Sequence, residues 1–247
     1  MQGILYVSHG SRVMEATAEA SAFIQSVKNQ VNVAHQEICF LELSEPTVAQ
    51  GIDLLIEQGA SRISIVPVLL LGAGHYFKDI PAEVNKIRRK YPRVQFTYGE
   101  PLGIQERITD VLAARINETD VPIEPDAKVL LVGRGSRNPQ TKRDIEQVTA
   151  DLQQKMNIPV DACYLAACEP SFETEFQTSL RESHAQLFIV PYLWFTGVLM
   201  QFLETRVAES QGENKSIILC RQLGNHSSMK KALQERVHEA CSSVKTI

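Results

Sequence analysis

The run ISIVPVLLL at positions 63–71 is apolar and shows no alternation of polar and apolar residues. Central strands of a parallel sheet have this character, because helices cover both faces of the sheet and every side chain is buried. A second run of the same kind, LFIVPYLWF, stands at positions 187–195, 124 residues further along the chain. The sequence therefore predicts two central strands of two parallel sheets.

Two more pairs of segments repeat in the same order. ILYVSHGSR at 4–12 returns as LLVGRGSR at 130–137, and FLELSEPT at 40–47 returns as YLAACEPS at 164–171. Three matches in one order, at nearly constant spacing, indicate an internal duplication. We expect an amino-terminal lobe at 1–120 and a carboxy-terminal lobe at 121–247, joined by the polar, proline-containing stretch at 117–127.

Short apolar runs alternate with amphipathic stretches in both halves. Amphipathic patterns at 16–31 and 47–58 predict helices. The apolar runs predict strands at 3–7, 37–41, 62–69, 94–98, 128–132, 160–165, 186–193 and 216–220. This alternation predicts an α/β fold of two similar lobes, each a mostly parallel sheet flanked by helices.

Composition excludes several classes of protein. The 247 residues are enough for two domains, and a net charge of -4 argues against binding of nucleic acid. No apolar stretch reaches the roughly 18 residues of a membrane span, and the start of the chain lacks the pattern of a signal peptide. The five scattered cysteines are typical of reduced thiols. We expect a cytoplasmic protein, monomeric and not bound to a membrane.

The two copies differ at three positions that can carry chemistry. His9 aligns with Arg134, Glu42 with Ala166, and His75 with Leu199, while the residues around each position are kept. Only the first copy therefore has proton-accepting, metal-binding side chains there.

All three residues are predicted to follow strands, at the edge of the sheet where parallel α/β folds bind ligands. Two imidazoles and one carboxylate suit a first-row divalent metal that keeps open coordination positions. Taken singly, each residue has an ordinary alternative: His9 as a hydrogen-bonding loop residue, Glu42 as a helix cap, and His75 as a surface residue. Taken together, they predict a catalytic and metal-binding site of His9, Glu42 and His75.

The loops HGSR and RGSR each join a strand to a helix. Backbone N–H groups at a helix start attract anions, and arginines add directed donors. The alternative is a tight turn with a serine cap. Neither loop matches the dinucleotide pattern GxGxxG, and we expect no organic cofactor. The loops provide six candidate residues for substrate binding: Gly10, Ser11, Arg12, Arg134, Ser136 and Arg137.

The segments VSHGSR, FLELSEPT and VPVLLLGAGHYFKDIP, with their degenerate second copies, resemble the class II tetrapyrrole chelatases. Among these, the chain is most similar to the two-lobed sirohydrochlorin chelatases of the SirB and CbiX type. The resemblance covers nearly the whole chain and maps the family's two metal-handling histidines onto His9 and His75, and its acidic partner onto Glu42. It implies a two-lobed fold in which the second lobe contributes to the substrate cleft.

The resemblance also implies an activity, the insertion of Fe²⁺ into sirohydrochlorin to form sirohaem with release of two protons. The partners would be the tetrapyrrole and the divalent metal, which is a substrate. Cobalt-specific members often carry a tail rich in His or Cys, and the ending HEACSSVKTI favours iron. Insertion of cobalt or nickel stays open as an alternative.

Two other functions are compatible with the residues. A phosphotransferase could use His9 as its phosphoryl acceptor, although that chemistry usually places an arginine directly before the histidine, where this chain has Ser8. A non-catalytic protein that binds metal or tetrapyrrole could also use paired α/β lobes.

Overall fold

The computed structural model describes residues 1–210 and 215–243. In this part of the chain, strands and helices alternate along both halves. The first half contains β1 (Gln2–Ser8), α1 (Met14–Lys28), β2 (His35–Phe40), α2 (Val48–Glu57), β3 (Arg62–Pro67), a π-helical turn (His75–Asp79), α3 (Ile80–Arg88), β4 (Gln95–Tyr98) and α4 (Glu106–Asn117). The second half contains β5 (Lys128–Gly133), α5 (Pro139–Met156), β6 (Val160–Tyr164), α6 (Phe172–Arg181), β7 (Gln186–Tyr192), α7 (Val198–Glu209), β8 (Ser216–Leu219) and α8 (Ser227–Ser242).

The strands form two parallel sheets of identical topology. Their orders are β2-β1-β3-β4 and β6-β5-β7-β8, so the first strand of each repeat lies beside the third. The apolar runs that predicted central strands form β3 and β7, and their side chains are almost entirely buried. All eight predicted strands are confirmed, with ends that differ by at most two residues. The predicted α/β fold of two similar lobes is confirmed as well.

The compact units of the structure do not coincide with the sequence repeats. One unit consists of Met1–Gly103 together with α8 from Lys230 onward, and the other of Ile104–Met229. Each sheet is thus completed by the last helix of the other repeat. In the first unit, the hydroxyls of Ser64 and Thr97 both donate to the carbonyl of Ala240 in α8. The compact units therefore differ from the sequence repeats by two helices. Helix α4 of the first repeat belongs to the second unit, and most of α8 of the second repeat belongs to the first unit.

Each sheet has its own apolar core beneath the helices. In the first unit the core includes Leu5, Ile52, Ile63 and Ile65, all fully buried. Within the part of the chain that the structure describes, none of the helices is both long enough and apolar enough to span a membrane. These cores hold the strands in place, and the loops that follow the strand ends carry the candidate site.

Candidate metal centre

His9 and Glu42 are brought together by the backbone beyond the ends of β1 and β2. The N–H of Leu41 donates to the carbonyl of Ser8 at 2.9 Å, and the N–H of Glu42 donates to the carbonyl of His9 at 3.1 Å. These bonds continue the pairing of the two strands by two residues. The side chains of His9 and Glu42 therefore lie beside each other at the carboxyl edge of the sheet.

Gly10 allows this close approach of the two loops. Its φ is +90°, and a Cβ built on it would lie 1.8 Å from the carbonyl oxygen of Glu42. No L side chain fits there, because the contact is with backbone and the conformation is left-handed. Glycine is thus required at position 10 if Glu42 is to lie beside His9.

His75 reaches the same point from the connection after β3. It is the first residue of the π-helical turn, an element found often at functional sites. Its ring meets the ring of His9 edge to face, with centroids 4.5 Å apart and an angle of 83° between the planes.

One potential ligand atom from each of His9, Glu42 and His75 lies within 4.8 Å of the other two. In the described residues this is the one group of three or more His, Cys, Asp or Glu side chains with such geometry. Nε2 of His9 is 3.2 Å from Oε1 of Glu42. The side chain of His9 is 38% exposed, that of Glu42 is 49% exposed and that of His75 is 30% exposed, so a metal ion can reach all three from solvent. The arrangement suits a divalent ion that is bound and then passed on.

Hydrogen bonds determine the tautomers of both imidazoles. Nδ1 of His9 lies 2.9 Å from the carbonyl oxygen of Gly10, and Nδ1 of His75 lies 2.8 Å from Oδ2 of Asp79. A carbonyl or a carboxylate can only accept, so in the neutral form of either ring Nδ1 carries the proton and Nε2 has a lone pair. The lone pair of His9 then faces the carboxylate of Glu42, and a cation between the two atoms would satisfy both.

Asp79 is a site residue that the sequence analysis missed. It lies four residues after His75, within the π-helical turn, and orients the imidazole as carboxylates commonly orient metal-binding histidines. The spacing of four residues was visible in the sequence, and so was the loss of this carboxylate in the second copy, where Leu203 is the counterpart.

Tyrosines hold the π-helical turn against the sheet. The hydroxyl of Tyr98, at the end of β4, donates to the carbonyl of Tyr76 at 2.7 Å, and the two rings stack with centroids 5.0 Å apart. The hydroxyl of Tyr76 donates in turn to Oε2 of Glu100 at 2.5 Å. Burial raises the pKa of Tyr98, so the phenol stays protonated and continues to donate. The residue next to His75 is thereby fixed in place.

The second repeat has the same backbone frame without the ligands. The N–H of Ala166 donates to the carbonyl of Arg134 at 2.9 Å, and a Cβ on Gly135 would lie 1.8 Å from the carbonyl oxygen of Ala166. Both repeats also contain a cis peptide bond at the equivalent place, Glu45–Pro46 and Glu169–Pro170. The frame is therefore common to both repeats, and the candidate metal-binding side chains belong to one.

The candidate substrate-binding residues lie in the two glycine loops, and both serines already have partners. The hydroxyl of Ser11 accepts from the N–H of Val13, and that of Ser136 accepts from the N–H of Asn138. These contacts are those of the serine turn that was the alternative for the loops.

The arginines of the same loops are exposed. Arg134 donates to the carbonyl of Gly135 at 3.2 Å. Arg12 and Arg137 make no hydrogen bond or ion pair within residues 1–210 and 215–243. All three guanidinium groups are thus accessible to an anion from solvent.

A duplicated parallel α/β fold with a two-histidine, one-carboxylate cluster in its first repeat defines a class of metal-handling proteins. The sequence profile of the CbiX family matches the chain twice, at residues 3–119 and 128–240. The chain belongs to the CbiX family.

Known proteins resemble the chain over nearly its whole length. A sirohydrochlorin ferrochelatase of Priestia megaterium is 45% identical over 244 residues, which are 98% of this chain and 92% of that protein. The structure of SirB from Bacillus subtilis with Fe³⁺ is 40% identical and superposes with a TM-score of 0.89, covering 98% of this chain and 96% of the other. The sirohydrochlorin chelatase SirB from Bacillus subtilis subspecies spizizenii, in complex with cobalt, is 37% identical with a TM-score of 0.85, covering 97% and 95%.

Proposed function

We propose that this chain is a sirohydrochlorin ferrochelatase, which inserts Fe²⁺ into sirohydrochlorin to form sirohaem and releases two protons. The observation that carries the proposal is the convergence of His9, Glu42 and His75 within 4.8 Å at an open edge of the sheet. The activity of the relative that is 45% identical over almost the full length supports the same reaction.

The chemistry of insertion matches the number of groups in the site. The tetrapyrrole gives up two pyrrolic N–H protons and takes up one M²⁺, so charge is conserved when two protons replace the ion. Nε2 of His9 and Nε2 of His75 bind the ion through their lone pairs. When the ion moves to the macrocycle, the same two lone pairs become free and accept the two protons that the pyrrole nitrogens release.

Glu42 assists both halves of this exchange. Its carboxylate, 3.2 Å from Nε2 of His9, offsets the charge of the ion and then that of the imidazolium. Asp79 keeps Nε2 of His75 available by accepting from Nδ1 at 2.8 Å.

The exposed guanidinium groups of Arg12, Arg134 and Arg137 bind peripheral carboxylates of the substrate in this proposal. Sirohydrochlorin carries eight carboxylates, and arginine pairs with carboxylates through two parallel hydrogen bonds. Gly10, Ser11 and Ser136 lie in the loops that precede α1 and α5; because the N–H of Ser11 donates to Oγ of Ser44 at 3.2 Å, the free backbone donors of this proposal are those of Gly10 and Ser136. We assign the metal chemistry to the first repeat, 1–120, and additional substrate binding to the second, 121–247.

The test is a multiple-turnover assay with purified protein, sirohydrochlorin and Fe²⁺, Co²⁺ or Ni²⁺ in turn, followed by visible absorption. We expect many turnovers with Fe²⁺ and the highest kcat/KM for that ion. A higher kcat/KM with Co²⁺ would favour the cobalt alternative, for which the cobalt complex of a similar chelatase is the relevant observation. Stoichiometric binding of metal or tetrapyrrole without turnover would instead indicate a carrier.

The negative charge of Glu42 beside His9 argues against a phosphotransferase. A phosphoryl group on Nε2 of His9 would place its negative charge beside the carboxylate of Glu42, 3.2 Å from the nitrogen. A phosphatase screen without release of phosphate would exclude this activity.

The cellular setting is part of the same proposal. All five cysteines are free thiols, and three of them, Cys39, Cys163 and Cys220, are buried in the cores. Free thiols fit a reducing compartment, and we place the protein in the cytoplasm as a monomer. Sedimentation of the purified protein measures the oligomeric state.

A further inference from the structure

Three large apolar side chains are exposed on the segments that carry the cluster residues. Met14 at the start of α1 is 80% exposed, Leu43 is 51% exposed, and Phe77 in the π-helical turn is 57% exposed. Leu43 directly follows Glu42, and Phe77 lies two residues after His75. We call Met14, Leu43 and Phe77 the apolar rim. Leu43 and Phe77 are thus exposed within two residues of a cluster side chain, and apolar side chains beside a few polar groups are typical of ligand sites.

The comparison of the two repeats singles out the same residues. The counterparts of Met14, Leu43 and Phe77 in the second repeat are Pro139, Ala167 and Gln201. The backbone frame is the same in both repeats, so folding does not require large apolar side chains at these positions. At these three positions they occur only in the repeat that has His9, Glu42 and His75, whereas the exposed apolar residues of the corresponding turn in the second repeat are Val198 and Phe202, the counterparts of Gly74 and Lys78.

Leu43 is unfavourable both in its backbone conformation and in the exposure of its apolar side chain. Its φ is +62°, in the left-handed region that residues other than glycine rarely adopt, and Ala167 has the same conformation at +65°. The strained conformation therefore belongs to the frame that both repeats share, and what differs is the leucine in the first repeat. A glycine would remove the strain, and a polar side chain would be better hydrated, yet the chain has a leucine beside a metal ligand.

We infer that the apolar rim binds one face of the tetrapyrrole macrocycle and so places its central nitrogens over His9, Glu42 and His75. This inference rests on the proposed function and adds the residues that receive the flat part of the substrate. A metal ion enters a macrocycle perpendicular to the ring, so the surface that delivers the ion must also cover the ring face around the nitrogens. That face is apolar, whereas the carboxylates lie at the ring's periphery.

The charges around the rim fit this assignment. Leu43 adjoins Glu42 and Phe77 follows His75 by two positions in the sequence, and Arg12, which is exposed, lies two residues before Met14. Apolar contact at the centre and a guanidinium further out match a ring with carboxylates around its edge.

The experiment compares Leu43→Gly, Phe77→Ser and the double variant with the unchanged protein. Leu54→Ser is the matched control, because Leu54 is 41% exposed on α2, away from the loops that bear the cluster. The dissociation constant for metal-free sirohydrochlorin is measured by fluorescence, and that for Co²⁺ by visible absorption. Thermal unfolding tests whether the fold is intact, and Leu43→Gly should leave the Tm unchanged or raise it, since it relieves the strain at φ +62°.

We expect the double variant to bind sirohydrochlorin about tenfold more weakly. Its affinity for Co²⁺ should stay within about twofold of that of the unchanged protein, as should both affinities of the Leu54→Ser control. Unchanged affinity for the tetrapyrrole in the double variant, in a protein that performs turnover, overturns the role of the rim and leaves the proposed function standing. A shift from dimer to monomer with unchanged tetrapyrrole affinity overturns it too, because the rim would then be a contact between copies. If the unchanged protein neither binds nor metallates sirohydrochlorin, the proposed function fails, and this inference fails with it.

Discussion

The ring of His9 meets the ring of His75 edge to face, with centroids 4.5 Å apart, although the two residues are separated by 65 positions in the chain. One ring is held through Nδ1 by the carbonyl of Gly10 and the other through Nδ1 by the carboxylate of Asp79. Both Nε2 atoms are thereby left as acceptors for a metal ion or a proton.

Removal of Asp79 should weaken metal binding through His75. Asp79→Ala deletes the acceptor for Nδ1 and frees the imidazole to rotate, and loss of such partners typically costs about 10–100-fold in metal affinity or activity. Asp79→Asn keeps an acceptor oxygen without the charge and should lose less. Co²⁺ titrations of both variants measure the effect, with Asp53→Asn on α2 as the control carboxylate. Wild-type affinity in Asp79→Ala would show that Asp79 does not orient His75.

The two glycines Gly10 and Gly135 form a matched pair of tests. Alanine at either position meets a carbonyl oxygen at 1.8 Å in a left-handed backbone. Both variants should lower the free energy of unfolding by about 2 kcal/mol or more. Only Gly10→Ala should also weaken Co²⁺ binding, because it displaces Glu42. Equal metal affinities in the two variants would mean that the approach of these loops does not build the site.

Tyr98→Phe tests whether the π-helical turn is held from β4. The variant removes the hydroxyl that donates to the carbonyl of Tyr76 and leaves a buried acceptor without that bond. We expect a loss of about 1 kcal/mol in stability and weaker Co²⁺ binding, since the neighbouring His75 loses its support. Tyr91→Phe, which removes a hydroxyl bonded to Asp53, is the control. If both variants lose stability and neither loses metal affinity, Tyr98 serves the fold alone.

His184 should make stability depend on pH. Burial lowers its pKa, and the nearby charge of Lys215 lowers it further, against the opposing effect of Glu182. The folded state therefore binds the proton less tightly than the unfolded chain, in which the pKa of histidine is about 6.5. The stabilisation is present above that pH and is lost as the pH falls below it.

The variant His184→Gln should flatten this dependence. Urea unfolding at about pH 7.5 and about pH 5.5 measures the difference between the two conditions. His238→Gln, at an exposed position of α8, should leave the dependence as it is in the unchanged protein. An identical loss of stability on acidification with and without His184 would contradict the assignment.

The strands were predictable from sequence because their signal is local. The run that forms β3 is almost wholly apolar, and a similar run recurs at the equivalent place in the second copy. Each strand was therefore indicated twice in the sequence. The exchange of α4 and α8 between the sheets was not predictable in this way. An amphipathic helix shows which of its faces is buried, and it does not show which of two similar sheets it covers.

The site was predictable as far as the repeats differ. His9, Glu42 and His75 were singled out because the second copy lacks them, and the structure places their ligand atoms within 4.8 Å. Asp79 differs between the copies in the same way and was missed, because its role depends on a π-helical turn that no sequence pattern indicated. The role of Leu43 was also hidden, since neither its left-handed backbone nor its exposure can be read from residue types alone.

Titration of the His9→Ala/His75→Ala double variant with Co²⁺, paired with turnover of sirohydrochlorin and Fe²⁺ by the same preparation, tests the central claim most directly. His35→Ala, a partly exposed histidine on β2, is the control. We predict that the double variant neither binds Co²⁺ nor metallates the tetrapyrrole, while its Tm stays close to that of the control. One equivalent of tightly bound Co²⁺, or sustained turnover, in the folded double variant would contradict the assignment of the metal site to these two imidazoles.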